Sequence, residues 1–150
     1  MGFAKPSLKA RALRLLARRE HSRSELTAKL APHAEGEDLA ALLDALQARD
    51  FINEERVAQS VLHRRAPRLG AQRVLQELRR KGLDEDLVRA TARQLQDTEL
   101  ERARAVWRQR FGDAPAATTP QERVRQMRFL AARGFAADVV RRVIQASDDE

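Results

Sequence analysis

Glu77-Leu78-Arg79-Arg80-Lys81-Gly82-Leu83 returns 52 positions later as Phe129-Leu130-Ala131-Ala132-Arg133-Gly134-Phe135. In both stretches a leucine precedes a glycine by four residues, and the glycine sits where a helix should end, because glycine takes up left-handed backbone at little cost. The match continues, with Leu87 and Val88 falling on Val139 and Val140. A weaker copy lies upstream, Leu30 on Leu78 and Leu39 on Leu87, both at an offset of 48. That copy has Pro32-His33-Ala34 where the others approach glycine, so its helix junction is expected to differ. Self-similarity at this period marks stacked supersecondary units.

Between the repeated stretches, apolar residues recur at helical spacing and not in alternation. Leu8, Ala12, Leu15 and Leu16 form one stripe; Leu39, Leu42, Leu43 and Leu46 form another; Leu100, Ala103, Val106, Trp107 and Phe111 a third. Helix starts are well marked. Ser22-Arg23-Ser24-Glu25 fits a capping box, and Thr119-Pro120-Gln121-Glu122 places Thr at the cap, Pro at the first helical position and Glu at the third. Asn53 and Asp84 also stand at cap positions with carboxylates just behind them. The expected architecture is all-α: an elongated tandem array of three three-helix, helix-turn-helix-like repeats, over residues 7–52, 53–96 and 97–146. One loop-like stretch, Gly112 to Thr119, lies inside the third unit, and the tail Ser147-Asp148-Asp149-Glu150 is expected to fray.

Composition narrows the function. Of 150 residues 43% are hydrophobic, enough to bury a core, and 34% are charged; Lys and Arg total 29 against 22 acids, a net charge of +7. Cysteine is absent, which removes disulfides, thiol nucleophiles and Cys-based zinc sites. No apolar run approaches the roughly 20 residues of a membrane helix, and Met1 to Lys9 lacks the apolar core of a secretory signal, so a cytoplasmic protein is expected. The six glycines form no phosphate-binding loop, and His21, His33 and His63 have no metal-ligand spacing. Ser22 and Ser24 read as helix caps, and Asp84-Glu85-Asp86 as a helix start. The expectation is a protein without catalytic residues, metal or cofactor. The aromatic residues, Phe3, Phe51, Phe111, Phe129, Phe135 and Trp107, sit at unit ends or on apolar stripes and are expected to pack the core.

The positive charge concentrates between Arg56 and Lys81, where eight basic residues face one acid, Glu77, and makes the middle unit the expected electropositive part. Arg64, Arg65, Arg68, Arg73, Arg79, Arg80 and Lys81 flank a helix junction around Pro67 to Gly70 and are the candidate contact residues. With one local acid, pairing inside the segment should be scarce, which leaves the guanidiniums for phosphate or for an acidic protein surface. Gly70 and Gly82 are expected to set helix junctions.

These residues carry a resemblance. Phe51-Ile52-Asn53-Glu54-Glu55-Arg56-Val57-Ala58, followed by Gly70 to Leu83, resembles the RecX family of RecA regulators, whose central pattern runs G-x-x-x-[IV]-x-x-E-L-x-x-K-G-[IL]; Gly70, Val74, Glu77, Leu78, Lys81, Gly82 and Leu83 match it. Ala12 to Leu26 is similar to the family's first-unit line A-L-x-L-L-x-x-R-x-x-S-x-x-E-L. The chain departs at Val57, where the family has an aromatic residue, and is only loosely similar in its third unit. The resemblance implies a non-enzymatic modulator that binds RecA and its filament on single-stranded DNA and dampens ATPase, strand exchange and coprotease activity in DNA repair and the SOS response. Weak non-specific DNA binding, no membrane and a monomeric state complete the expectation. The rival class is a helix-turn-helix transcriptional regulator that reads bases from the major groove.

Overall fold

The computed structural model describes residues 4–112 and 119–148. These residues form nine α-helices, one short 3-10 turn and no strand: α1 (Leu8–Arg18), α2 (Arg23–Leu30), the 3-10 turn (Ala31–His33), α3 (Leu39–Ala48), α4 (Glu54–Arg65), α5 (Ala71–Arg80), α6 (Glu85–Gln96), α7 (Glu99–Phe111), α8 (Pro120–Ala132) and α9 (Ala137–Asp148). The fold is thus the all-α array of three-helix units that the repeat predicts. The loop reading over 112–119 falls largely on residues 113–118, outside those described. The tail Ser147 to Glu150 falls partly in α9, which ends at Asp148, and partly outside the described residues.

Helix starts follow the capping chemistry. The Ser22 hydroxyl accepts the Glu25 N–H while the Glu25 carboxylate accepts the Ser22 N–H, a complete capping box. Ser7, Asp38, Asn53 and Thr119 each accept one first-turn N–H. Asp84 stands at the cap position of α6, yet its side chain caps nothing. Helix ends repeat too. After Leu78 and Leu130, Gly82 (φ +76°) and Gly134 (φ +92°) turn the chain left-handed, and the next N–H, of Leu83 or Phe135, returns to the leucine carbonyl. Asp50 (φ +65°) does the same at the end of α3, with Phe51 donating to Leu46. In the first unit the α2–α3 connection instead runs through the 3-10 turn, as the Pro32-His33-Ala34 departure foretells.

Three hydrophobic clusters succeed one another along the chain. Leu8, Leu26, Leu30, Leu43, Leu46 and Ile52 build the first; Val57, Val61, Val74, Leu78, Val88 and Leu95 the second; Ala103, Leu130, Phe135, Val140, Val143 and Ile144 the third. The accessible surface is 9946 Å² for a mass of 17.0 kDa, against roughly 7,700 Å² for a compact monomer of that size. Three small cores in series expose more surface than one large core, which accords with an extended body. Among the described residues no helix is long and apolar enough to cross a membrane.

Candidate interaction surface and the joints that carry it

The three units are locked by two joints of the same design, and these joints decide where the candidate cations sit. At the second joint, α5 begins at Gly70, which has no side chain to cap it. Its first N–H groups are satisfied by the third unit: Gly70 donates to the Arg133 carbonyl at 2.7 Å, Gln72 to the Gly134 carbonyl at 3.2 Å, and Ala71 to Glu99 Oε1 at 3.3 Å. The same Glu99 oxygen accepts from Ala136 at 3.4 Å, and Glu99 is buried. Arg102 completes the seam, donating to the carbonyls of Ala66, Leu69 and Leu95 at 2.9, 2.7 and 3.1 Å. Burial pushes its guanidinium below the ordinary value, with Glu99 acting in the opposite direction.

The first joint repeats this plan. The N-terminus of α2 docks on the α5–α6 turn: the Ser22 hydroxyl donates to the Lys81 carbonyl at 2.7 Å, and the Arg23 N–H donates to Glu54 Oε1 at 3.2 Å. Glu54 opens α4 as Glu99 opens α7. Desolvation raises the Glu54 pKa, and its second oxygen is buried with no hydrogen-bond partner among the described residues. Across the same joint Lys81 Nζ lies 3.3 Å from Glu25 and Arg56 Nε donates to Glu20 at 2.9 Å. Burial opposes ionisation of Glu25, but bonds from Arg19, the Ser22 N–H and Lys81 outweigh it and hold the carboxyl down to about 2.

The seven candidate cations therefore separate into groups. Lys81 has its ammonium largely buried against Glu25. Arg73 lies along Gly134 and donates to the Ala132 carbonyl at 2.9 Å, closing the end of α8. Arg65 pairs with Glu77 at 3.3 Å, and Arg79 with Glu85 at 3.0 Å. The expectation of scarce pairing is corrected here: the sequence segment holds one acid, but the fold brings in Glu25 from α2 and Glu85 from the start of α6. Arg64, Arg68 and Arg80 are exposed and have no carboxylate within ion-pair distance among the described residues. Arg68 lines a cleft with Arg110 and Arg133, two arginines outside the sequence-predicted set.

Sequence reasoning missed Glu54, Glu99 and Arg102. The signal for the two glutamates was present, since each stands first in the first helix of its unit, but that position reads equally well as a carboxylate favoured by the helix dipole. Among the histidines, His33 and His63 are exposed, whereas His21 is buried, with Nδ1 3.0 Å from the Arg19 carbonyl and Nε2 3.1 Å from Lys29 Nζ. Burial accordingly lowers its pKa. Phe111 and Phe135 pack the core as expected, while Phe51 is 45% exposed; Phe3 lies outside the described residues.

Three-helix units that interlock helix N-terminus to glycine turn, with arginines distributed over the outside, define a helix-turn-helix repeat array. Two family models match the chain: the second three-helix domain of RecX over residues 53–91 and the third three-helix domain of RecX over residues 97–144. The chain is 53% identical over 145 residues to regulatory protein RecX of Leptothrix cholodnii, covering 96% of this chain and 91% of that one, and 52% identical over 143 residues to regulatory protein RecX of Ralstonia nicotianae, covering 95% and 89%. The crystal structure of RecX from Lactobacillus salivarius superposes with a TM-score of 0.79 at 19% identity, over 95% of this chain and 96% of that one, and so has the same fold. The chain belongs to the RecX family.

Proposed function

We propose that this protein is a negative modulator of RecA that acts by docking on RecA and on its filament with single-stranded DNA, and so dampens ATPase, strand exchange and coprotease activity. The observation that carries this reading is the near full-length identity to RecX regulatory proteins, which spans all three units. The joints support a docking mechanism. Each joint bonds backbone and side chains of one unit to those of the next, so several weak contacts on one body combine through effective concentration. A ligand that binds one filament conformation better than another shifts the population toward it.

The rival reading, a transcriptional regulator, needs a recognition helix whose N-terminal turn enters the major groove. In a three-helix unit that helix is the third, α3, α6 or α9, whereas the joints occupy the N-terminal turns of the second helices α2 and α5; what favours the modulator reading is the identity to RecX proteins along the chain. The test is the single-stranded-DNA-dependent ATPase of RecA, titrated with this protein at two salt concentrations. Progressive inhibition that weakens at the higher salt is expected; an unchanged ATPase at every ratio overturns the reading.

A further inference from the structure

Arg68, Arg110 and Arg133 come from three places in the chain, the turn after α4, the last turn of α7 and the end of α8, and line one cleft of about 380 Å³ with Val106, Gln109 and Phe129. Two of the three are held by aromatic rings. The Arg133 guanidinium lies 5.0 Å from the Phe129 ring centre, and that of Arg110 lies 5.8 Å from the ring centres of both Phe129 and Phe111. Those rings are themselves fixed, edge to face at 5.3 Å, with Phe111 buried in the third unit. Among the described residues no carboxylate lies within ion-pair distance of any of the three arginines, and none of their guanidiniums donates a hydrogen bond to another protein group. A ring face attracts a guanidinium without accepting its in-plane N–H bonds, so the donors remain to be met from outside.

Three positive charges lining one cleft, with forked donors unspent among the described residues, repel one another and favour an anion that joins them. The guanidinium fork matches phosphate oxygens bidentately. Val106 and the half-buried Phe129 add apolar lining beside the arginines; because Arg110 and Arg133 already lie over the Phe129 ring, that lining suits the sugar of a nucleotide and not a stacked base, and a carboxylate-bearing protein segment would not need it. Arg133 also supplies, through its carbonyl, the 2.7 Å bond that closes the second joint, so the cleft is anchored where two units meet. We infer that this cleft is a phosphodiester-binding subsite for single-stranded nucleic acid. The inference deepens the proposed docking on filament DNA and takes its biological setting from that reading, but the binding itself is measurable without RecA.

The experiment is fluorescence anisotropy of a short labelled oligothymidylate with the full chain and no RecA. The variant is Arg68→Ala/Arg110→Ala, and the control with equal charge loss is Arg141→Ala/Arg142→Ala, both exposed on α9. Each single-strand phosphate contact contributes about 0.7 to the slope of log affinity against log salt, so the cleft variant should bind about tenfold more weakly with a slope shallower by about 1.4, while the control stays within about threefold of the parent. Thermal unfolding followed by Trp107 fluorescence, the sole tryptophan, checks that both variants fold. A cleft variant indistinguishable from the control in affinity and slope overturns the subsite. So does displacement of the oligonucleotide by polyglutamate as effectively as by unlabelled strand, which would make the cleft a protein-facing carboxylate site. Inhibition of RecA ATPase is scored separately: a parent chain that binds the strand through the cleft but leaves the ATPase untouched sinks the modulator reading and not the subsite.

Discussion

At Gly70 a single added carbon would lie 2.3 Å from the carbonyl carbon of Gly134, and at Gly134 it would lie 2.3 Å from Arg73 Cγ on a backbone at φ +92°. Backbone opposes backbone at Gly70, so the collision cannot be relieved by turning a side chain. Gly70→Ala is expected to cost about 2–3 kcal/mol through the forced shift of the joint. Gly36→Ala, at φ +84° with nothing within 4 Å, should cost only the left-handed conformation, about 1 kcal/mol. Thermal unfolding of the two variants makes the comparison; equal losses would deny the close approach. Glu25 makes a second prediction at this scale. Its folded pKa of about 2 lies below the ordinary 4.5, so its stabilising contribution is complete above the ordinary value and is lost as pH falls toward 2. The stability gap between the parent and Glu25→Gln should therefore be widest near neutrality and close below about pH 2. A gap independent of pH would show that Glu25 acts through shape alone. The sequence places Gly70 at a junction but cannot tell what it touches, because its partner lies in the next repeat.

Among the elements, the joints matter more than any one helix. Arg102 satisfies two carbonyls of the α4–α5 turn, those of Ala66 and Leu69, and ties them to the Leu95 carbonyl near the end of α6; removing it leaves the two turn carbonyls without that donor, while Leu95 keeps its bond from the Thr98 N–H. Arg102→Ala should destabilise by about 2–4 kcal/mol, and amide exchange should accelerate first in α5 and the α4–α5 turn. Protection lost evenly across all nine helices would instead indicate one cooperative body with no weak seam. The helices themselves were readable because caps and apolar stripes are local: Ser22 with Glu25 and Thr119 with Glu122 bond across three residues. The joints were not readable, because Glu99 meets Ala71 across 28 positions and Lys81 meets Ser22 across 59. A helix period carries no record of such distances. Hence Lys81 and Arg73 look in sequence like members of a free basic patch, whereas the fold uses them to hold units together.

For the whole molecule, the distinction between structural and available cations decides which arginines can test docking. Reversing Arg79, Arg80 and Lys81 together would break the Glu85 and Glu25 pairs and confound docking with unfolding. Arg64→Glu/Arg80→Glu alters only exposed arginines without a carboxylate partner among the described residues, and should weaken filament binding while leaving the unfolding temperature within a few degrees. Unchanged filament affinity would remove α4 and α5 from the contact surface and leave the cleft of the second joint. The charge that distinguishes this chain, +7 overall, acts through those groups that the joints do not consume. The most direct measurement is co-sedimentation of the unmodified chain with RecA filaments assembled on single-stranded DNA, beside tubes holding the DNA alone. Docking predicts that the chain enters the pellet with the filament and saturates as the filament is consumed; a chain that stays in the supernatant while the filament pellets would contradict it.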